Sequence, residues 1–145
     1  MGTNLKRQLF APPASETHAP IAEEDERIGK AIVEAAFAVH KNLGPGLLES
    51  VYEACFCHEL KKRGFQPERQ KPVPLIYDGE LLEDELRLDV LVNDRVLCEL
   101  KAVEAMIPLF TSQLLTYLKL TDRRLGFLIN FNVPVIRDGI KRLVR

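Results

Sequence analysis

Cysteine is scarce in this chain, with three in 145 residues, an odd and low number. A disulfide framework needs paired cysteines at regular spacing, so none is expected, and the composition reads as that of a reducing, cytoplasmic setting. A surplus of one charge is also missing, because 20 Lys and Arg nearly balance 21 Asp and Glu. Tight nonspecific binding of nucleic acid rests on excess cations facing phosphates, so that mode is disfavoured, while a local basic patch is still allowed. No apolar run approaches the roughly 18–20 residues that span a bilayer, and the start of the chain lacks the apolar core of a secretory signal. Neither membrane insertion nor export is expected. No Ser-His-Asp set and no Gly-rich phosphate loop stands out. A zinc set is missing too. In "CFCH", Cys55 and His58 share a helix face while Cys57 points elsewhere, and no second ligand pair sits at finger spacing, so buried or half-buried thiols are expected.

What is present is an ordinary globular pattern. Residues 1–20 hold three prolines and no period and read as a flexible tail, and residues 21–145 read as a single domain. A helix is expected from Ile21, with Glu23, Glu24, Asp25 and Glu26 in its first turns, where negative charge offsets exposed amide dipoles. Ile28, Ile32, Ala35, Val39 and Leu43 continue it at helical spacing. "NLGPG", residues Asn42 to Gly46, ends it, and a second helix runs to about Arg63 with Gly64 as its cap. "KPVPLIYDGELL" reads as a strand, a turn at Asp78-Gly79 and a return strand, and Pro72 and Pro74, which donate no ladder bonds, place the first strand at an edge or make it begin irregularly. The return strand passes through "ELRLDVLV", turns at Asn93-Asp94 and comes back as "VLCELKA". A third helix is expected over Thr111 to Leu120, followed by "RLGFLINF", a run typical of a strand covered on both faces, and then a short strand or turn. The order is α-α-β-β-β-α-β.

One constellation carries chemistry. Glu99 and Lys101 are two apart on a strand and share a face. Whether Asp89 joins them depends on the turn between the strands. A two-residue loop at Asn93-Asp94 pairs Asp89 with Cys98 and leaves Glu99 on the other face. An odd loop or a bulge puts Asp89 and Glu99 together. The odd loop or bulge is expected, with Asn93 or Asp94 in a left-handed turn position. Converging carboxylates make a hard-oxygen site suited to Mg²⁺ or Mn²⁺, which can polarise a phosphoryl group. Lys101 adds a compact cation beside it, so the residue types suit phosphodiester hydrolysis.

Asp89 followed by Glu99-x-Lys101 across two strands resembles the PD-(D/E)XK nuclease superfamily. "GLLESVY", with Gly46, Glu49 and Tyr52, resembles the signature of the small GxxExxY proteins, a branch of that superfamily. "QLLTY", with Gln113 and Tyr117, is similar to the QxxxY motif of the superfamily's exonuclease branch. The similarity runs from about Glu24 to Val144. Asp89 follows Leu88 rather than Pro, a departure common in the superfamily. The resemblance implies a restriction-endonuclease-like α/β (α+β) core with a mixed central sheet flanked by helices. It implies that Asp89, Glu99 and the carbonyl of Leu100 hold the metal and that Lys101 orients or activates water. Glu49 would supply a further carboxylate or hold a metal-bound water, Gln113 would point at the site from the third helix, and Tyr52 and Tyr117 are candidate substrate contacts. The implied activity is a metal-dependent nuclease acting on nucleic acid, DNA foremost.

Plain structural roles stand beside these. The strand charges could make cross-strand ion pairs on a solvated face. Glu49 could satisfy the start of a helix with Tyr52 packed below it, and Gln113 and Tyr117 could be helix-start polarity and packing. "KRLVR" with Arg137 could touch phosphates or end the chain in solvent. The rival function is a catalytically silent nuclease fold that binds nucleic acid or a protein partner, possibly as a homo-oligomer.

Overall fold

The computed structural model describes residues 19–145, apart from the side chains of residues 83–85. Almost all of the expected N-terminal tail therefore lies outside the described residues. Helix α1 spans Glu23–Leu43 and α2 spans Glu49–Lys62. Four consecutive acids open α1, as the dipole favours. Its stripe Ile28, Ile32, Ala35 and Val39 is buried. Gly64 (φ 86°) closes α2 as expected, since only a residue at ease in the left-handed region lets Gly64 N reach Lys61 O and Phe65 N reach Leu60 O.

Strands β1 (Pro67–Tyr77), β2 (Glu80–Val92) and β3 (Val96–Lys101) form an antiparallel meander. Helix α3 (Pro108–Leu120) then carries the chain to β4 (Leu125–Asn130), which pairs parallel to β3. A 3₁₀ turn at Ile136–Gly139 leads into β5 (Ile140–Val144), antiparallel to β4. The expected order is found, with the C-terminal segment resolved as a fifth strand. The five strands lie in sequence order, β1-β2-β3-β4-β5, so β1 with its three prolines is an edge strand, one of the two outcomes its prolines allow. Its turn is the two-residue Asp78-Gly79 connection, both at positive φ, between paired Tyr77 and Glu80. Helix α3 starts three residues earlier than expected, because Pro108 sits at its start, where a missing N–H costs nothing.

The sheet separates two apolar layers. On one side α1 and α2 bury Ile28, Ile32, Tyr52, Phe56 and Leu60 against Val96, Cys98, Leu100, Phe127 and Ile129. On the other, Leu114 and Leu118 of α3 pack on Leu91, Leu97 and Leu128. Every residue of β4 is buried, as its unbroken apolar run implies. A Cβ on Gly126 would stand 3.2 Å from Leu114 Cδ1, so α3 rides directly on the β4 backbone. Each fully buried Leu, Ile or Phe contributes roughly 1.5–3 kcal/mol. Cys57 and Cys98 belong to the α1–α2 layer, consistent with thiols used as small apolar groups. The arrangement is a mixed sheet flanked by helices, as in restriction-endonuclease-like folds.

Candidate functional site

The β2–β3 hairpin decides whether the acids meet. Three residues, 93–95, lie between paired Val92 and Val96, so the loop is odd, and Asn93 (φ 52°) and Asp94 (φ 56°) both take the left-handed conformation. The ladder runs from this turn to the pair Val90 and Cys98. The next position in register sets Asp89 opposite Glu99. There side chains take over from the ladder. Leu100 N donates to Asp89 Oδ2 at 2.9 Å, and Asp89 N donates to Glu99 Oε1 at 3.4 Å. Each carboxylate accepts from a backbone amide of the opposite strand, so the strands fork and both acids lie in the fork.

Glu99 is only 4% exposed. Burial, then the charge of Asp89 and a hydrogen bond between the two carboxyls, pushes its pKa up to about 9. Metal-free near neutral pH, the pair therefore keeps a proton. The donors fit a hard divalent ion, which takes one or two carboxylates from a protein and fills its shell with water and substrate oxygens. Among the described residues no three His, Cys, Asp or Glu side chains group tightly enough to hold an ion by themselves. The Leu100 side chain is wholly buried in the α1–α2 layer, which leaves only its backbone for the site.

Glu49 opens α2 on an exposed rim. A helix start alone would favour its ionised form. Its carboxyl is instead shifted upward, first by partial burial and then by the charge of Asp89, with Lys101 opposing. Glu49 therefore senses both Asp89 and Lys101 and belongs to the same charge cluster. The Lys101 ammonium rests over the Phe110 ring, 4.4 Å from its centroid. Its backbone is held from β4, since Phe131 N donates to Lys101 O at 2.9 Å. Asn130, 1% exposed, secures the next loop through both Val103 N and Val103 O.

Tyr52 meets a different fate from the expected substrate contact. Its ring is fully buried and stacks on Phe131, with centroids 4.7 Å apart and planes 6° from parallel. Its hydroxyl donates to Gly44 O at 2.6 Å and accepts from Leu47 N at 3.1 Å. No face of this ring is open to a substrate. It pins the loop that delivers Glu49, because a buried phenol needs its polar tip satisfied and the loop backbone satisfies it. Gln113 and Tyr117 are brought to each other, the Gln113 amide donating to Tyr117 Oη at 3.0 Å. Tyr117 also packs against the α3-side core.

Three contributors were not singled out from the sequence. Phe110 is signalled only by an aromatic in the first turn of α3. Asn130 is signalled by a polar residue ending an apolar run. Glu53 follows Glu49 by one helical turn, is 5% exposed, and accepts from Arg69 Nε at 3.2 Å and Gln70 Nε2 at 3.1 Å. The basic C-terminal residues are mostly engaged, with Arg142 on Glu26 and Arg145 on Asp122.

Residues 26–143 match the family model described as the PD-(D/E)XK nuclease superfamily. Comparison with curated proteins and with solved structures returns no match. Among the described residues no helix is long and apolar enough to cross a membrane.

Proposed function

The chain belongs to the PD-(D/E)XK nuclease superfamily, and on that premise we propose that it is a metal-dependent phosphodiesterase acting on DNA, of the small GxxExxY branch. The observation that carries this reading is the fork, where Asp89 and Glu99 meet as adjacent carboxylates between two strands. Asp89, Glu99 and the Leu100 carbonyl would hold Mg²⁺ or Mn²⁺, which when bound supplies Lewis-acid polarisation of a phosphoryl oxygen. Hydrolysis forms a P–O bond to water and breaks the P–O bond to the leaving sugar oxygen. Water gives up a proton and the leaving oxygen gains one. Lys101, steadied over Phe110, orients the water and favours negative charge on its oxygen. Glu49, whose carboxyl already lies above its ordinary range, accepts a hydrogen bond from that water at the rim. Gln113 and Tyr117 flank the substrate from α3.

The test is cleavage of supercoiled, linear and single-stranded DNA with Mg²⁺ or Mn²⁺. Asp89→Asn and Lys101→Ala are expected to lower turnover by at least about 100-fold with the folded circular dichroism spectrum retained, in line with the loss of a positioned charge. Equal activity in wild type and both variants, or no metal-dependent cleavage of any of these substrates, removes the proposal.

A further inference from the structure

Among the described residues, five other than glycine have positive φ: Gln70, Asp78, Asn93, Asp94 and Asp122. The last four are Asn or Asp, which tolerate the left-handed region. Gln70 (φ 51°) is neither, and it lies inside a strand. Its position is also telling. Arg69 pairs with Val90 and Lys71 with Leu88 in one register, so Gln70 stands opposite Asp89, and the ladder omits that pair.

Both strands lose their alternation at this point. Leu88 and Val90 are two apart and should share a face, yet Leu88 packs in the α3 layer and Val90 in the α1–α2 layer. Arg69 and Gln70 are adjacent and should point apart, yet both reach Glu53 of α2. Arg87 Nη1 donates to Gln70 O at 3.2 Å, so the Gln70 carbonyl is held from β2 as well. Strained backbone of this kind persists only where surroundings over-determine it, and irregular strand pairing beside a site re-aims a side chain.

We infer that Glu53 is a positioning residue for Asp89. Its buried carboxylate grips Arg69 and Gln70, holds Gln70 in the left-handed conformation, and so imposes the change of face in β2 that turns the Asp89 carboxyl into the fork toward Leu100 N. The inference rests on the proposed metal site for its functional meaning, while its geometry can be read without metal.

The experiment uses the full chain and two readouts: hydrogen exchange of the Leu100 amide by NMR, which reports the bond to Asp89 Oδ2, and Mn²⁺ affinity by calorimetry. Glu53→Ala and Gln70→Val, the latter a β-branched residue ill-suited to positive φ, are expected to speed Leu100 exchange at least tenfold relative to neighbouring amides. Both are expected to weaken Mn²⁺ binding about tenfold. Gln70→Gly accepts the conformation without strain and is expected to keep both properties near wild type. Added to Glu53→Ala, it is expected to restore much of what that variant loses. Glu53→Gln, which keeps size and one acceptor, covers the case in which Glu53→Ala does not fold, and is expected to fall between. A Leu100 amide unchanged in Gln70→Val and in the folded Glu53 variant overturns the inference. If wild type binds no Mn²⁺, the proposed metal site fails, and the Leu100 amide still decides for or against the clamp.

Discussion

Glu99 shows how one residue's surroundings set its chemistry. An ordinary glutamic acid ionises near 4.5, and this one is pushed up to about 9, by burial first and Asp89 second. Between those two values the native state keeps a proton that the unfolded chain has lost. The metal-free protein is therefore expected to lose stability as pH rises from about 5 to about 9, by at most roughly 1.4 kcal/mol per unit. Urea midpoints measured with a chelator at several pH values check this. Glu99→Gln, which cannot ionise, is expected to flatten the slope, and an unaltered slope in that variant assigns it elsewhere. A divalent ion must displace the same proton. Mn²⁺ binding is thus expected to tighten with pH and to release about one proton per ion near neutrality, measurable by calorimetry in buffers of different ionisation heat.

At the scale of elements, the β2–β3 turn governs everything at the fork. Its three residues put Asp89 and Glu99 in register, and its two left-handed residues are Asn93 and Asp94, suited to that conformation. Deleting Asp94 leaves a two-residue connection, and a one-residue slip sends alternate side chains to opposite faces. That deletion is expected to weaken Mn²⁺ binding by at least about 100-fold, while far-ultraviolet circular dichroism retains the sheet, because β3 remains paired to β4 on its other edge. Retained metal affinity would show that the register does not make the site. Parity left an even and an odd turn open, and the demand that the acids converge selected the odd loop or bulge. The kink at Gln70 was not legible, since nothing about a glutamine in "ERQKPV" announces positive φ, and it becomes intelligible only once Glu53 arrives from α2. Tyr52, expected as a substrate contact, lies in the core for a related reason. Spacing placed it one turn from Glu49 but did not show that Phe131, nearly 80 positions later, would cover its ring.

For the whole molecule, charge is balanced, and among the described residues several arginines are held in ion pairs. Arg95 sits on Asp25, Arg123 on Asp94, Arg142 on Glu26 and Arg145 on Asp122. A balanced net charge gives no surplus of cations to displace counterions from a duplex. Nucleic-acid binding by the catalytically impaired Asp89→Asn protein is accordingly expected to depend weakly on salt. The slope of log affinity against log salt should be no steeper than about −4, or roughly four phosphates neutralised. Fluorescence anisotropy over a salt series checks it, and a markedly steeper slope would reveal a basic surface that the net charge conceals.

The sequence by itself determined the element order, the proline constraint on β1 and the buried β4, because each follows from local periodicity, turn chemistry or proline's missing donor, and it supplied Asp89, Glu99 and Lys101 as a candidate set. Only the tertiary structure decided which groups surround that set. Phe110 under Lys101, Tyr52 within the core and Glu53 on Gln70 join residues from different elements. The elevated proton affinity of Glu99 arises the same way, since desolvation and close like charge exist only after the strands and helices have packed.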